Sequence, residues 1–125
     1  MTSIFVYGTL MPGQARWPML APYTVTEPQP ERVPGSLVNT GVGYPGLVDV
    51  GSSRWVRGWR VDLAPVSTDR ALAALDAIEG TAVGLYRRVQ VTAESGIRCW
   101  TYEYLHATPD LPDLGGRWPE IIKDW

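Results

Sequence analysis

The sequence predicts a compact α+β fold in which short β-strands dominate. Two observations lead to this class. Five or six runs of apolar, β-branched and aromatic residues end at glycine or proline, which is the pattern of strands and turns. A single segment, residues 66–80, instead carries apolar residues at helical spacing. A chain of 125 residues suits one domain, which we expect to cover residues 1–125.

The strand signals follow one another along the chain. The first is SIFVYGTL; GSLVNTG, YPGLVDV and RWVRGWRVDL come after a proline-rich stretch, Pro18–Pro34, in which we predict no strand. LYRRVQVTA and IRCWTYEYLH are separated by residues 94–96, a predicted hairpin turn. Gly58 inside the fourth run indicates a bulge or a close backbone approach. So many short strands in a small chain favour a curled or closed sheet, which removes exposed edges.

The helical segment, VSTDRALAALDAIEG, has a start signal and a stop signal. Ser67 or Thr68 can cap the helix, and Gly80 ends it. Its apolar residues recur at three- and four-residue spacing: Ala71, Leu72, Leu75 and Ile78. The sequence therefore predicts about three turns of helix between two strands. The tail, DLGGRWPEIIKDW, is rich in turn residues, and we expect one short helical turn near its end.

Composition excludes several classes of function. The net charge is −2 and the basic residues are scattered, so we expect no nucleic-acid partner. With one cysteine, Cys99, and one histidine, His106, we expect no internal disulfide, no cysteine metal cage and no histidine-based zinc site. No signal peptide and no apolar run of about 20 residues is visible, so we expect a cytoplasmic protein without a membrane partner. The sequence does not indicate an oligomeric state.

Glu79 is the first candidate catalytic residue. At 100° per residue it lies on the same side of the predicted helix as Leu72 and Leu75, which face the core. It is also in the last helical turn, where the helix dipole opposes a negative charge. Both effects raise the pKa of a carboxyl group and suit it to proton transfer. Two other interpretations stay open: a side chain that bends out to solvent, or a buried one paired with Arg87 or Arg88.

The YGTL stretch is the second candidate. A glycine after a strand is often only a turn. Alternatively, the N–H groups of Gly8, Thr9 and Leu10 form a cradle for a carboxylate or carbonyl oxygen. No phosphate-loop pattern accompanies the stretch, so a nucleotide ligand is not indicated. One aromatic stripe in the last strand run is either core or pocket wall: Trp100, Tyr102 and Tyr104.

The motifs in their order resemble a known family. YGTL, YPGLV, VRGWRVDL, LDAIEG, YRRVQV and WTYEY follow one another between about Ile4 and Tyr104. This order is similar to the gamma-glutamylcyclotransferase-like superfamily, in particular to its avirulence-induced-gene and gamma-glutamylamine cyclotransferase branch. The resemblance implies a small mixed β-barrel with flanking short helices.

The resemblance also implies roles for individual residues. The glutamate of LD-x-x-EG is the family's acid/base residue, which corresponds to Glu79. Tyr86 and Arg88 match a Y-x-R motif that we take as mainly structural, and Arg117 departs from an acidic position in the family tail. The implied substrate-binding residues are the pocket-lining loop and a tyrosine of the last strand: Tyr7, Gly8, Thr9, Leu10 and Tyr102.

The implied activity is a cyclotransferase reaction without metal or cofactor. The substrate is a small gamma-glutamyl amine or peptide, the α-amine attacks the γ-carbonyl, and the products are 5-oxoproline and a free amine, with Glu79 as general acid/base. Two alternatives stay open. One is a non-catalytic barrel that binds a small metabolite, and the other is removal of a gamma-glutamyl protecting group from a biosynthetic intermediate.

Overall fold

The structure, a computed structural model, describes residues 1–118 and confirms the α+β class. Its strands are β1 (Ser3–Val6), β2 (Gln29–Pro34), β3 (Ser36–Asn39), β4 (Pro45–Val48), β5 (Trp55–Asp62), β6 (Tyr86–Thr92), β7 (Arg98–Tyr104) and β8 (Asp113–Gly115). Its α-helices are α1 (Trp17–Leu20) and α2 (Thr68–Glu79), and single 3₁₀ turns cover Ala21–Tyr23, Pro65–Ser67 and Thr81–Val83. The helical turn expected near the end of the tail lies outside the described residues. No helix within residues 1–118 has the length and apolar character needed to cross a membrane.

The strands form one mixed sheet in the order β2-β5-β1-β7-β4-β3-β8, and β6 pairs with β7 beside this path. Strand β7 is the centre of the sheet. All seven of its residues pair with β6 along one edge, and both β1 and β4 pair with its other edge. Strand β1 pairs in parallel at Trp100, and β4 pairs in parallel at Glu103. The sheet therefore forks where β1 ends and β4 begins.

Tyr7 fills this fork. It directly follows β1, and its buried hydroxyl donates a hydrogen bond of 2.7 Å to the carbonyl of Tyr102 on β7. The same hydroxyl accepts a bond of 3.2 Å from the N–H of Leu47 on β4. A side chain thus supplies hydrogen bonds that a continuous strand would make with its backbone. The residues after β1 are thereby held in the opening between the two strands.

The sheet curls but does not close into the barrel that the sequence favoured. Its path ends at β2 and β8, and no ladder joins these two strands within residues 1–118. Single backbone hydrogen bonds bridge the gaps instead. The N–H of Arg57 donates to the carbonyl of Gly116 at 2.7 Å, and the N–H of Glu94 donates to the carbonyl of Arg32 at 2.9 Å. The β6–β7 turn and the segment after β8 thus approach the far edge without completing it.

Strand β2 corrects the prediction that the proline-rich stretch holds no strand. It pairs antiparallel with β5 at six successive positions, among them Pro30 and Pro34. The carbonyl of Arg32 accepts a bond from Glu94, so the even-numbered residues of β2 turn their backbone polar groups away from β5. Pro30 and Pro34 are even-numbered, so their missing N–H groups would point to the outer edge of the sheet. No hydrogen bond to β5 is lost there, because β2 is an edge strand.

Helix α2 packs its apolar side onto the sheet as the spacing predicts. Ala71, Leu72 and Leu75 are buried in a core with Ile4 and Val6 of β1. The helix ends at Gly80, whose φ of 69° is in the left-handed region that glycine adopts without strain. At the other end Ser67 is the N-cap residue but makes no side-chain capping bond. The packed face therefore fixes α2 against the sheet.

Gly58 makes the close approach that the sequence indicated, without a bulge. The ladder of β5 with β2 runs through this position in regular register, and the ladder with β1 ends at the neighbouring residue, Trp59. A Cβ atom at residue 58 would lie 2.2 Å from the carbonyl oxygen of Val6 and 2.7 Å from the ring of Phe5. Only glycine fits there, because the carbonyl of Val6 and the ring of Phe5 lie directly against this position.

Candidate active site

The structure brings all six predicted site residues together around one pocket at the fork. The pocket opens to solvent, and its empty space, counted together with that open solvent, is about 370 Å³. The predicted residues on its wall are Glu79, Tyr7, Gly8, Thr9, Leu10 and Tyr102. The sequence did not point to the other wall residues: Phe5, Val6, Arg16, Tyr44, Pro45 and Tyr86. Side chains from β1, the loop after it, α2 and β7 thus converge on one small volume.

The loop after β1 lines this pocket and holds backbone donors without acceptors. Its carbonyls point elsewhere, because that of Gly8 accepts a bond from Met11 and that of Thr9 accepts one from Arg16, at 3.0 and 2.8 Å. The N–H groups of Gly8, Thr9 and Leu10 donate no hydrogen bond to any acceptor within residues 1–118. We call these three N–H groups the backbone cradle. Free donors in succession are suited to a carboxylate or a carbonyl oxygen.

Gly8 is explained by crowding rather than by an unusual backbone angle. Its φ is outside the left-handed region. A Cβ atom at this position would lie 3.1 Å from two carbons of the Pro45 ring, closer than an ordinary contact. The absent side chain lets the loop pack against Pro45 at the start of β4.

Glu79 presents an unpartnered carboxyl group to the pocket. It is half-buried, and its carboxylate makes no hydrogen bond or ion pair within residues 1–118. Burial raises the pKa of Glu79 from an ordinary 4.5 to about 7, and the positive charge of Arg16 opposes part of this increase. The interpretation that Glu79 pairs with Arg87 or Arg88 is wrong, because these arginines bind Glu103 and Asp76.

Tyr102 places its ring on the pocket wall, while its hydroxyl is engaged by α2. The hydroxyl donates a 2.7 Å hydrogen bond to Oδ1 of Asp76. Arg88 donates to both oxygens of the same carboxylate at 2.9 and 3.3 Å, and its guanidinium lies 4.5 Å from the centre of the Trp100 ring. Asp76 precedes Glu79 by three residues, so this cluster fixes the helical turn that carries Glu79.

Tyr86 and Tyr7 stay protonated and act as structural donors. Burial raises the pKa of both hydroxyls above the ordinary value of 10, with further contributions from the charge of Glu79. The hydroxyl of Tyr86 donates a 2.7 Å bond to the carbonyl of Pro45. Its ring lies between those of Tyr44 and Tyr104, with centroids 6.1 and 5.3 Å away. These contacts hold Pro45 against Gly8.

A family model described as gamma-glutamyl cyclotransferase, AIG2-like, matches residues 4–120. The chain belongs to this family. The match covers nearly the whole chain and confirms the resemblance predicted from the order of the motifs. No curated protein matches the chain significantly.

Solved structures share the cyclotransferase-like fold. An AIG2-like protein from Mus musculus is 25% identical, with a TM-score of 0.70 and coverage of 90% of this chain and 85% of the mouse chain. An uncharacterized protein from Pyrococcus horikoshii is 20% identical, with a TM-score of 0.70 and coverage of 97% and 92%. A uropathogenic E. coli-specific protein is 17% identical, with a TM-score of 0.69 and coverage of 95% and 93%. The last two likenesses show the fold alone.

Two charged residues at this cyclotransferase-family site were missed by the sequence reasoning, Asp76 beside the pocket and Arg16 on its wall. Asp76 carried a signal, because it belongs to the LD-x-x-EG motif and lies one helical turn before Glu79. Arg16 carried none, because it lies in an irregular loop whose path follows no periodic pattern. Its backbone N–H bond to the carbonyl of Thr9 folds this loop back beside the cradle.

Proposed function

We propose that this protein is a cyclotransferase that releases 5-oxoproline and a free amine from a gamma-glutamyl amine or peptide. One observation carries the proposal. A carboxyl group that titrates near neutrality and has no partner within residues 1–118 lines the same pocket as three unpaired backbone N–H groups. A proton carrier and donors for an oxyanion are the two devices that this acyl transfer needs.

The first step is proton removal from the α-ammonium group of the substrate. Ionised Glu79 accepts this proton, because its pKa of about 7 keeps a large fraction charged at neutral pH while leaving it basic enough to act. The neutral α-amine then attacks the γ-carbonyl carbon and forms a C–N bond. Electrons of the carbonyl move to its oxygen, and the backbone cradle donates hydrogen bonds to the resulting oxyanion.

The second step breaks the bond to the leaving amine. The oxyanion re-forms a carbonyl, and the C–N bond to the departing group breaks as Glu79 returns its proton to that nitrogen. Glu79 then accepts the second proton from the α-nitrogen of the ring and passes it to the amine, which departs as an ammonium ion. The remaining five-membered lactam is 5-oxoproline, and Glu79 is again a carboxylate.

The attack is intramolecular, so positioning supplies much of the rate. The pocket has to hold the glutamyl chain folded, with the α-nitrogen near the γ-carbonyl, instead of bringing two molecules together. The fork at Tyr7 and the cluster around Asp76 fix the two sides of the site, and Tyr102 takes part in both. A rigid site of this kind favours the folded substrate conformation.

The test is release of 5-oxoproline from a panel of gamma-glutamyl amines and peptides, measured by mass spectrometry. We expect turnover by the wild-type protein and loss of at least about 100-fold in kcat for Glu79→Gln, with the fold retained. Glu94→Gln is the matched control, because Glu94 is an exposed glutamate outside the pocket wall. Full activity of Glu79→Gln on a substrate of the wild-type protein would refute the assigned role.

The identity of the released amine separates the alternatives. Saturable binding of panel members without product would favour a non-catalytic metabolite-binding protein. Turnover only of gamma-glutamyl derivatives of large amines would favour removal of a protecting group. Release of small amines or amino acids would favour a general gamma-glutamyl amine or peptide substrate.

A further inference from the structure

Arg16 is the one charged wall residue that the proposed reaction leaves without a role. It is half-buried, lines the pocket and makes no hydrogen bond or ion pair within residues 1–118 through its guanidinium group. Partial burial of a cation without a partner is unfavourable. The fold nevertheless places it there, since the Arg16 N–H is tied to the carbonyl of Thr9 at 2.8 Å.

Arg16 and Glu79 face the same pocket without pairing with each other. The charge of Arg16 lowers the pKa of Glu79, so the two groups interact through space, yet no ion pair joins them. Two opposite charges that are close but separate leave room for a ligand with both signs of charge. The α-carbon of a gamma-glutamyl group carries such a pair, an ammonium and a carboxylate.

We propose that Arg16 binds the α-carboxylate of the gamma-glutamyl group, and thereby determines specificity for substrates with a free α-carboxylate. This inference rests on the proposed function and deepens it. The planar guanidinium can donate two parallel hydrogen bonds to a carboxylate. With the carboxylate on Arg16, the α-ammonium is directed toward Glu79.

The assignment also decides which oxygen of the substrate the backbone cradle binds. The donors of Gly8, Thr9 and Leu10 could hold either the α-carboxylate or the γ-carbonyl oxygen. If Arg16 takes the carboxylate, all three remain for the γ-carbonyl, where negative charge develops during the attack. Each charged or polar part of the substrate head then has its own partner on the pocket wall.

The first experiment measures binding and does not need turnover. L-Glutamine carries the α-carboxylate, and L-glutaminamide replaces it by a neutral carboxamide. We expect the wild-type protein to bind L-glutamine about 10- to 100-fold more tightly, as measured by NMR titration, because a charge-assisted pair is lost with the amide. Arg16→Gln should abolish this preference. Arg16→Lys should keep part of it, since lysine retains the positive charge but not the two parallel N–H donors of the guanidinium group.

Arg70→Gln is the matched control, because Arg70 is an exposed arginine of α2 outside the pocket wall. It should keep the full preference. A preference that survives in Arg16→Gln, or none in the wild-type protein, would overturn the assignment of Arg16. An equal loss of affinity for both ligands in Arg16→Gln would mean a structural role and would overturn it as well.

A second experiment separates this inference from the proposed function. For the best substrate of the panel, kcat/KM is compared with that of its α-carboxamide analogue. We expect Arg16→Gln to lose about 10- to 100-fold on the carboxylate form and little on the carboxamide form. If the wild-type protein prefers L-glutamine in an Arg16-dependent way but turns over no substrate, only the cyclotransferase reaction is contradicted. Turnover without that preference contradicts only the role of Arg16.

Discussion

At the level of single residues, Glu79 is held where its charged form is unfavourable. Its carboxylate is half-buried and has neither hydrogen bonds nor an ion pair within the described part of the chain. The family match accounts for the order of the motifs, but the pocket gives the physical reason why this glutamate can exchange protons near neutral pH. An unpartnered, half-buried carboxylate of this kind lowers the stability of the fold.

Because charged Glu79 lowers the free energy of unfolding, Glu79→Gln is expected to increase it in a pH-dependent way. The pKa of Glu79 is about 7 in the folded protein and 4.5 in its ordinary state, so the folded protein holds the proton more tightly. The free energy of unfolding therefore falls as the pH rises from about 4.5 to 7. Glutamine resembles the neutral acid, so we expect little change near pH 4 and a gain of about 1–2 kcal/mol at pH 8. This figure is below the full shift, because solvent reaches the carboxylate through the pocket mouth.

Urea unfolding at the two pH values measures this difference. Glu94→Gln, at an exposed position, should change stability by no more than about 0.5 kcal/mol at either pH. A Glu79→Gln variant that is less stable than the wild-type protein at pH 8 would contradict the unpartnered state of this carboxylate, since it would mean that the charged form makes favourable contacts.

At the level of elements, the end of α2 is fastened to the sheet by Asp76. Its carboxylate accepts hydrogen bonds from Tyr102 of β7 and from Arg88 of β6. The apolar face of α2 fixes the helix against the core, but this polar cluster fixes its last turn. The motif LD-x-x-EG thus joins two tasks: its aspartate positions the helix, and its glutamate faces the pocket.

A double-mutant cycle tests this link. We expect Tyr102→Phe to cost about 1 kcal/mol of stability and Asp76→Asn about 2 kcal/mol, because the second also weakens the pair with Arg88. The combined cost should be smaller than the sum by at least about 0.5 kcal/mol, since one hydrogen bond is shared. Urea unfolding gives these values.

The control for this cycle is Tyr104→Phe. Tyr104 is on the same strand, and its hydroxyl makes no hydrogen bond within residues 1–118. It should couple to Asp76→Asn by less than about 0.3 kcal/mol. Strict additivity of Tyr102→Phe and Asp76→Asn would show that the hydrogen bond between them does not contribute to holding α2.

At the level of the whole molecule, the sequence was informative where local patterns decide the structure. Helix α2 and the β6–β7 hairpin follow from periodicity and turn residues, and the motif order identifies the family. Strand β2 was missed because its prolines argue against a strand, and only its place at the sheet edge makes them tolerable.

The site shows the same division between local and global signals. The YGTL loop and Glu79 are visible as motifs, and the fold brings them to one pocket. The fork that creates this pocket depends on how β1 and β4 share one edge of β7, which no local pattern encodes. Arg16 reaches the pocket through an irregular loop, so only the three-dimensional structure could identify it.

The open sheet predicts an uneven distribution of stability. Strand β7 has neighbours along both edges and β1 is buried at every position, whereas β8 has three residues, is partly exposed and lies at the end of the strand path. Its pairing with β3 includes a register shift between Leu37 and Val38.

We expect amide hydrogen exchange, measured by NMR under native conditions, to be at least about 100-fold slower in β1 and β7 than in β8. The amides of β3 that face β4 are the internal comparison and should exchange at intermediate rates. Equal protection of β8 and β7 would mean that the sheet closes into a barrel in solution and that β8 shares the cooperative core.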